Sequence, residues 1–396
     1  MNTLVIHRLE DVPSARWPER RDARRPRVLF LSSQVLGMRT FAEQLESAAA
    51  ASDAIEAVHV HLHVPRHVKA LGAWIPPTKG GLWHAWRHWI LWKRLMARIL
   101  RRVPLDGFDA IHVTNQYNAA AFAGMPAGVR ARTVACVDAT SALENREFGY
   151  SIVDRAPLIA AERRLMQRIA GASAWSEWAR RSLVDDCGVQ PDRALVARLG
   201  IPVPPRPAQD AGSGSGSPRK LRIAFVGNHW TRKGGDRLLR WHQARWADRA
   251  ELHLFGASVP EMASARSVVR HGAVHRATLV EELLPSMDLL VHPTREDTFV
   301  LALLEAQAAG VPVVASRIAG IATDVVEHGR TGFLCARDAD DEFVQATERL
   351  LGDQALRAEM SRRCIERTQT EWDPARCAER YFREILRLTA PGTVVP

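Results

Sequence analysis

Acidic side chains flank and enter an apolar segment in the second half of the chain. In EDTFVLALLEAQAAGVPVVAS (296–316), Asp297 precedes an apolar helical run and Glu305 lies inside it. Because the run is apolar nearly all round, we expect its helix to be buried, and a buried carboxylate requires a partner. We expect the helix to begin near Thr298 and to end at Gly310. Asp297 at such a position is also consistent with a simple helix cap.

A basic turn precedes this segment along the chain. FVGNHWTRKGGDRLL (225–239) places Gly227 after a predicted strand, and it places Arg232, Lys233 and Gly234 at the start of the next helix. Backbone amides at a helix start attract phosphate, and the helix dipole and a lysine add to the attraction. Short glycine motifs also occur in ordinary turns with solvated cations, so the pattern alone leaves both interpretations open.

The elements that position these residues follow an α/β pattern twice. The apolar runs VLFLSS, FDAIHV and RTVACVDAT indicate buried parallel strands with helices between them. After a Gly-Ser-rich connector a second series begins, with strands in LRIAFVG, ELHLFG, DLLVHPT and VPVVAS and a helix in LVEELLPSM (279–287). This predicts two α/β domains facing across a cleft, with ligands at the carboxyl ends of the strands.

Composition and charge restrict the class of protein and its partners. The chain has 396 residues, of which 46% are hydrophobic, as expected for a folded two-domain protein. Its N-terminal residues are charged where a signal peptide would be apolar, so we expect neither export nor a membrane span, and a cytoplasmic location. Five scattered cysteines indicate reduced thiols. The net charge of +10 suits phosphate-bearing ligands, nucleic acid or anionic lipid alike.

The order of these motifs resembles the retaining glycosyltransferases of family 4, which have the GT-B fold. The likeness rests on GNHWTRKG, on an acid followed after seven residues by Glu in DTFVLALLE, and on AGVPVVAS and EHGRTGFLC. The segment from 171 to 204 is similar to the serine-bearing strand and helix of the family. EWDPARCAERYFREIL (371–386) is similar to the helix that crosses back to the first domain in such proteins.

The resemblance implies a division of the chain into five parts. These are a basic N-terminal arm (1–26), an N-terminal Rossmann-like acceptor domain (27–203), a flexible linker (204–220), a C-terminal Rossmann-like domain that binds the nucleotide sugar (221–371), and a C-terminal crossover helix and tail (372–396).

The resemblance also implies a donor site. Glu305 would hydrogen-bond the ribose of a nucleotide sugar, and Asp297 would meet the sugar hydroxyls. Lys233, helped by Arg232, would neutralise the diphosphate. The expected donor-binding residues are Gly37, Gly227, Asn228, Arg232, Lys233, Glu296, Asp297, Thr298, Phe299, Val300 and Glu305, and the expected catalytic residues are Asp297, Glu305, Lys233 and Asp138.

Several of these positions differ from the family pattern or have an ordinary alternative. Asp297 replaces the usual Glu, Asn228 the usual Arg, and Val300 a small glycine, so the sugar and the diphosphate would be held differently here. Gly37 could let the backbone approach the donor phosphates, or it could be a plain turn glycine. Asp138 follows a strand where relatives often carry a His, and it could also be a helix cap.

The segment GLWHAWRHWILWKRLMARILRR (81–102) carries four tryptophans and a basic stripe. A basic amphipathic helix with interfacial Trp is typical of a peripheral membrane contact. Packing of the tryptophans into a domain core is the alternative, and the sequence does not decide between them. Nucleic acid is not an expected partner, because no nucleic-acid-binding motif accompanies the charge.

We therefore expect an enzyme that moves a sugar from a nucleoside-diphosphate sugar to a hydroxyl of a glycan or lipid-linked acceptor, with retention and without a cofactor or metal. The DxD in DADDE (338–342) is interpreted as the start of a helix. A dinucleotide-dependent oxidoreductase would require GxGxxG after a strand, which neither glycine turn supplies. A GT-B relative that has lost turnover and acts as a membrane-associated partner protein remains the alternative.

Overall fold

The computed structural model describes residues 3–4, 17–33, 37–62, 84–149, 152–205, 219–256, 258–260, 265–318 and 320–391. The chain forms two compact units, which we call unit 1 (Met1–Leu199 with Pro374–Pro396) and unit 2 (Gly200–Asp373). Unit 1 is therefore built from two separate stretches of chain, and unit 2 is inserted between them.

Unit 1 contains a parallel sheet of seven strands within the described residues, in the order β1-β3-β2-β4-β5-β6-β7. The strands are β1 (Thr3–Leu4), β2 (Arg27–Ser33), β3 (Glu56–Leu62), β4 (Ala110–Thr114), β5 (Thr133–Val137), β6 (Gly171–Ala174) and β7 (Ala194–Val196). The helices are α1 (Gly37–Ala50), α2 (His84–Leu100), α3 (Gln116–Ala119), α4 (Ala127–Arg130), α5 (Ser141–Phe148), α6 (Ile152–Arg168) and α7 (Glu177–Asp185).

Unit 2 contains a parallel sheet of six strands in its described residues, in the order β10-β9-β8-β11-β12-β13. The strands are β8 (Leu221–Val226), β9 (Ala250–Phe255), β10 (Val268–Gly272), β11 (Leu289–His292), β12 (Val313–Ser316) and β13 (Gly332–Cys335). The helices are α8 (Gly235–Arg245), α9 (Arg276–Thr278), α10 (Leu301–Ala308), α11 (Ala322–Val325), α12 (Asp340–Gly352) and α13 (Gln354–Glu371).

The strands predicted from continuous apolar runs are confirmed in both sheets. Every residue of β2, β4, β5, β11 and β12 is buried, as expected for parallel strands whose two faces are both covered by helices. The predicted helix over 279–287 is helical through Ser286, but as a π-helical turn (Leu279–Leu283) followed by a 3₁₀ turn (Leu284–Ser286) instead of a regular α-helix. Pro285 explains the difference, since its ring and missing N–H break the regular α-helical pattern.

The division between the units falls after Leu199, four residues before the predicted end of the first domain. Ile201 packs into the core of unit 2, and its N–H donates to the carbonyl of Trp372 at 2.9 Å. These contacts tie the segment before the predicted linker to the end of α13. Most of that linker lies outside the described residues.

The C-terminal helix α14 (Pro374–Thr389) belongs to unit 1, as the crossover prediction requires. It packs against α1, β4 and β5. The hydroxyl of Tyr381 is hydrogen-bonded to Nε2 of His112 at 2.8 Å and to the hydroxyl of Ser173 at 2.7 Å. Phe382 packs edge-on against Phe30 of β2. The helix therefore completes the core of unit 1 although unit 2 separates it from the rest in sequence.

The tryptophans of α2 point into unit 1 instead of facing outward. Trp89 and Trp92 are buried in its core, and Nε1 of Trp92 donates to Oδ1 of Asn118 at 2.6 Å. Lys93, Arg94 and Arg98 are exposed on the other side of the helix. Among the helices of the described residues, none is both long and apolar enough to span a bilayer.

Candidate functional site

The turn between β8 and α8 carries the predicted phosphate-binding lysine, and we call residues 227–234 the lysine turn. Gly234 precedes α8 with a left-handed φ of 79°, which favours glycine. The side chain of Lys233 runs across Gly227, where an added Cβ would lie 2.5 Å from Cδ of the lysine. Glycine at position 227 therefore leaves the space that the lysine side chain occupies.

The backbone amides of the turn before α8 and of its first residue make hydrogen bonds within the turn, and phosphate binding there stays a prediction. The N–H groups of Lys233, Gly234 and Gly235 donate to carbonyl oxygens of residues 229–231. Burial favours the neutral form of Asp236, but its hydrogen bonds with Arg295 and with main-chain N–H groups hold the pKa of this carboxyl below its ordinary value. The side chain of Lys233 is a cationic group that the turn presents beside this helix start.

The loop that follows β11 holds the predicted sugar-binding acid, and we call residues 293–300 the acidic loop. The helix predicted to begin near Thr298 begins at Leu301, because Val300 has φ −101° and ψ 88°, outside the helical region. No side chain caps α10. Asp297 therefore lies four residues before the helix, and its interpretation as a helix cap is wrong.

Asp297 and Lys233 form the centre of the site. Oδ2 of Asp297 lies 3.0 Å from Nζ of Lys233 and 3.8 Å from Nη1 of Arg232. Asp297 is only 7% exposed. A buried carboxylate that is paired with a lysine keeps unused lone pairs on its oxygens, so it is suited to accept from a ligand hydroxyl as well.

Glu305 has a partner that the sequence did not identify. It lies inside α10 and is 4% exposed, and Nε of Arg276 donates to its Oε1 at 2.7 Å. Burial raises the pKa of the Glu305 carboxyl, and the charge and hydrogen bond of Arg276 partly offset that rise. The side chain of Arg276 is 43% exposed. Glu305 is thus a buried carboxylate whose partner guanidinium is partly exposed to solvent.

A buried histidine lies at the end of β11, close to the ion pair. His292 is fully buried, and its ring stacks on Phe225 with centroids 5.9 Å apart. Burial, with the charge of Lys233, lowers the pKa of His292 to about 3. The imidazole is therefore neutral near pH 7, and it adds no charge to the site.

One glycine that the sequence analysis did not select holds the acidic loop in place. Gly320 follows β12 and has φ +50°, and an added Cβ would lie 1.8 Å from the carbonyl oxygen of Thr298. Any side chain there would displace the loop. The only signal in the sequence is a glycine in RIAGI, which is too common a pattern to identify.

The remaining predicted residues divide between the two units. Asn228 is exposed, Glu296, Thr298 and Phe299 are half-buried, and Val300 is buried, all in unit 2. Gly37 is the first residue of α1, and Asp138 follows β5, so both belong to unit 1. Their predicted roles, like those of the donor residues, stay predictions.

The predicted start of a helix at the DxD is confirmed, since α12 begins at Asp340, which pairs with Arg237 at 2.6 Å.

Comparison with known proteins agrees with the resemblance to glycosyltransferases that the sequence motifs indicated. Residues 220–353 match the family model described as "Glycosyl transferases group 1". The chain is 32% identical over 118 residues to an N-acetyl-alpha-D-glucosaminyl L-malate synthase of Bacillus anthracis, covering 29% of this chain and 31% of the relative. The chain thus spans about a third of the length of that curated relative.

Two solved structures have a similar fold over most of the chain. The sucrose-phosphate synthase of Thermosynechococcus elongatus has a TM-score of 0.68 at 16% identity, covering 93% of this chain and 100% of that one. HepE of Anabaena, in complex with UDP and glucose, has a TM-score of 0.64 at 16% identity, covering 90% and 98%. The predicted GT-B fold and the resemblance to the glycosyltransferases of family 4 are confirmed.

Proposed function

We propose that this protein is a glycosyltransferase that moves a sugar from a nucleoside-diphosphate sugar to a hydroxyl acceptor, with retention and without a metal. The observation that carries the proposal is the carboxylate of Asp297, which is 7% exposed and whose Oδ2 lies 3.0 Å from Nζ of Lys233. A sugar hydroxyl would donate to this carboxylate, and the lysine would face the adjacent diphosphate.

Glu305 would bind the ribose of the donor. Ribose hydroxyls donate well to a carboxylate, and the carboxylate of Glu305 lies next to an exposed guanidinium at the surface of unit 2. HepE, whose fold is similar, was solved with UDP and glucose. This likeness supports a nucleotide sugar as the donor of the present chain.

The reaction would depend on charge stabilisation more than on a protein nucleophile. As the bond between the anomeric carbon and the diphosphate breaks, negative charge grows on the leaving oxygen. Lys233 would stabilise that charge, together with the N-terminus of α10, which no side chain caps. The acceptor oxygen would attack from the same face, which retains the anomeric configuration and requires no metal.

The exposed basic face of α2 supports a second part of the proposal, that the protein contacts an anionic membrane surface. Lys93, Arg94 and Arg98 are exposed there, whereas the neighbouring tryptophans are buried. The contact would therefore be electrostatic, and the tryptophans would not insert. Such a surface would suit a lipid-linked acceptor.

The decisive test is turnover and binding by purified protein. We expect hydrolysis or transfer from one member of a panel of UDP-, GDP- and ADP-sugars in the presence of EDTA. We also expect Glu305→Gln to lower nucleotide affinity at least about tenfold, because it replaces a charged acceptor by a neutral one. Strict dependence on added divalent metal would refute the metal-free reaction. Absence of nucleotide binding by the wild-type protein would refute the enzyme and favour a partner protein without turnover.

A further inference from the structure

A dense set of contacts joins the lysine turn to the acidic loop. The guanidinium of Arg295 binds the carboxylate of Asp236 through both nitrogens, with Nη1 to Oδ1 at 2.7 Å and Nη2 to Oδ2 at 2.8 Å. Nη1 of Arg295 also donates to the carbonyl of Thr231. Its main-chain N–H donates to the carbonyl of Arg232 at 2.9 Å. One arginine of the acidic loop is thus bonded to the lysine turn and to the first turn of α8.

A second set of contacts also joins the two segments and is centred on Arg232 of the lysine turn. Nη1 of Arg232 donates to the carbonyl of Glu296 at 2.6 Å. The hydroxyl of Thr294 lies 3.2 Å from the carbonyl oxygen of Arg232 and 3.1 Å from that of Glu296. Arg232 is therefore bonded to the main chain of the acidic loop, whereas Lys233 contacts that loop through the side chain of Asp297.

The residues in these contacts are the sequence neighbours of the two that would meet the donor. Arg232 precedes Lys233, and Glu296 precedes Asp297, so the contacts fix the backbone on both sides of the 3.0 Å ion pair. Reacting groups have to be held within a fraction of an ångström for efficient binding and catalysis. A shift between the two segments would separate the cation from the carboxylate.

We propose that Arg295 and Asp236 are positioning residues, whose ion pair holds Lys233 and Asp297 in the geometry that receives the diphosphate and sugar of the donor. The inference rests on the proposed function of the same site. Neither residue touches the donor in this proposal. Both act through the backbone of the lysine turn and the acidic loop.

An ordinary surface ion pair is the alternative explanation. The side chains of Arg295 and Asp236 are 35% and 34% exposed, and pairs of that kind contribute roughly 1 kcal/mol or less to folding. Loss of the pair should therefore leave the protein folded. A positioning role would instead reduce the affinity for a nucleoside diphosphate more than the affinity for the matching monophosphate.

The test uses calorimetric titration of the full-length protein with the di- and monophosphates of uridine, guanosine and adenosine. Arg295→Met and Asp236→Asn should each weaken binding of the preferred diphosphate about tenfold or more. Binding of the matching monophosphate, which would depend mainly on Glu305, should change by less than about twofold. The melting temperature should move by no more than about 4 °C.

Two further variants make the result specific. The double variant Arg295→Met with Asp236→Asn should be no worse than either single change, because both remove one interaction. Arg219→Met is the matched control: Arg219 binds Asp288 through two nitrogens at 2.8 and 2.9 Å, at the amino-terminal edge of the same sheet. This control should leave the affinity for both nucleotides unchanged.

The outcomes separate the inference from the function on which it rests. Unchanged diphosphate affinity in the Arg295 and Asp236 variants would overturn the inference, and so would equal losses for mono- and diphosphate. A loss that only follows the fall in melting temperature would also overturn it. Failure of the proposed function would be visible earlier, as wild-type protein that binds none of the six nucleotides.

Discussion

A buried carboxylate inside an apolar helix can be stabilised by a ligand or by a cation of the protein itself. For Glu305 the structure supplies the cation, since Arg276 binds it at 2.7 Å. The carboxylate is therefore partly neutralised before any nucleotide arrives. Burial still raises the pKa of Glu305, so its charge depends on pH in a range above that of an ordinary glutamate.

This pair leads to a prediction about pH. The ionised form of Glu305 is the one that accepts the ribose hydroxyls, so nucleotide affinity should fall as pH decreases through its raised pKa. Arg276→Met removes the charge that holds this pKa down, and the fall in affinity should therefore begin at a higher pH. Titration with the preferred diphosphate from about pH 5 to pH 8 measures both transitions.

Two results check this interpretation. Glu305→Gln should bind more weakly than wild type and should lose the part of the pH dependence that comes from Glu305, leaving only that of the diphosphate, whose terminal phosphate ionises near about pH 6. An Arg276→Met protein with the pH profile of the wild type would show that Arg276 does not control the charge of Glu305. Arg266→Met serves as a control, since the side chain of Arg266 pairs with the exposed Asp248 and not with the Glu305 carboxylate.

The sequence predicted the charged residues at the centre of the site better than the residues that hold them in position. Lys233 and Asp297 were both selected, and the structure places them 3.0 Å apart. Arg276 and Arg295 were not selected for the roles that the structure gives them, because they act through contacts between segments that spacing along the chain does not reveal. Phosphate binding at the start of α8 stays a prediction, and the sequence did not reveal that the turn itself uses the amides of residues 233–235.

Among the secondary-structure elements, α2 has a sequence pattern that is compatible with two different environments. Its tryptophans and arginines alternate with a helical period, which fits both an interfacial helix and a packed one. The structure places Trp89 and Trp92 in the core of unit 1 and leaves Lys93, Arg94 and Arg98 exposed. Strands with all-apolar runs were predictable because both faces are buried, whereas β10 has polar, partly exposed positions and was missed.

The two faces of α2 should respond to substitution in different ways. Trp92→Ala should destabilise the protein by about 3–5 kcal/mol, because it removes a buried indole and its hydrogen bond to Asn118. Arg94→Glu with Arg98→Glu should leave the melting temperature nearly unchanged but reduce binding to anionic vesicles. Thermal unfolding and co-sedimentation with vesicles containing phosphatidylglycerol measure the two effects.

The vesicle experiment needs its own control. Vesicles of neutral phosphatidylcholine should retain neither the wild-type protein nor the variant, since the proposed attraction is electrostatic. Equal binding of wild type and the double variant to anionic vesicles would contradict a membrane contact through α2.

At the scale of the whole molecule, α14 completes unit 1 after the chain has passed through unit 2. Tyr381 is the residue that ties it most directly to the sheet, since its hydroxyl contacts both His112 and Ser173. Burial lowers the pKa of His112 to about 3, so this contact is made by a neutral ring. The helix is held by a polar network at its centre as well as by apolar packing.

Tyr381→Phe tests that network. It leaves two buried polar groups without this partner, and we expect a loss of about 1–3 kcal/mol in the free energy of unfolding of unit 1. The stabilisation of unit 2 by nucleotide should be preserved, because the tyrosine lies in the other unit. Urea unfolding with and without the preferred diphosphate measures both. Unchanged unfolding of the variant would show that the network contributes little.

The return of α14 also determines the order in which the units can be completed on the ribosome. Unit 2 is one continuous stretch, so all of its residues have been synthesised once Asp373 has been added. Unit 1 begins first, yet its β-sheet lacks the helix that covers Phe30 and His112 until residues 374–389 follow. Domains usually mature from the N-terminus onward. Here the domain begun second can mature first, and the nascent first domain must remain incomplete while the inserted one is translated.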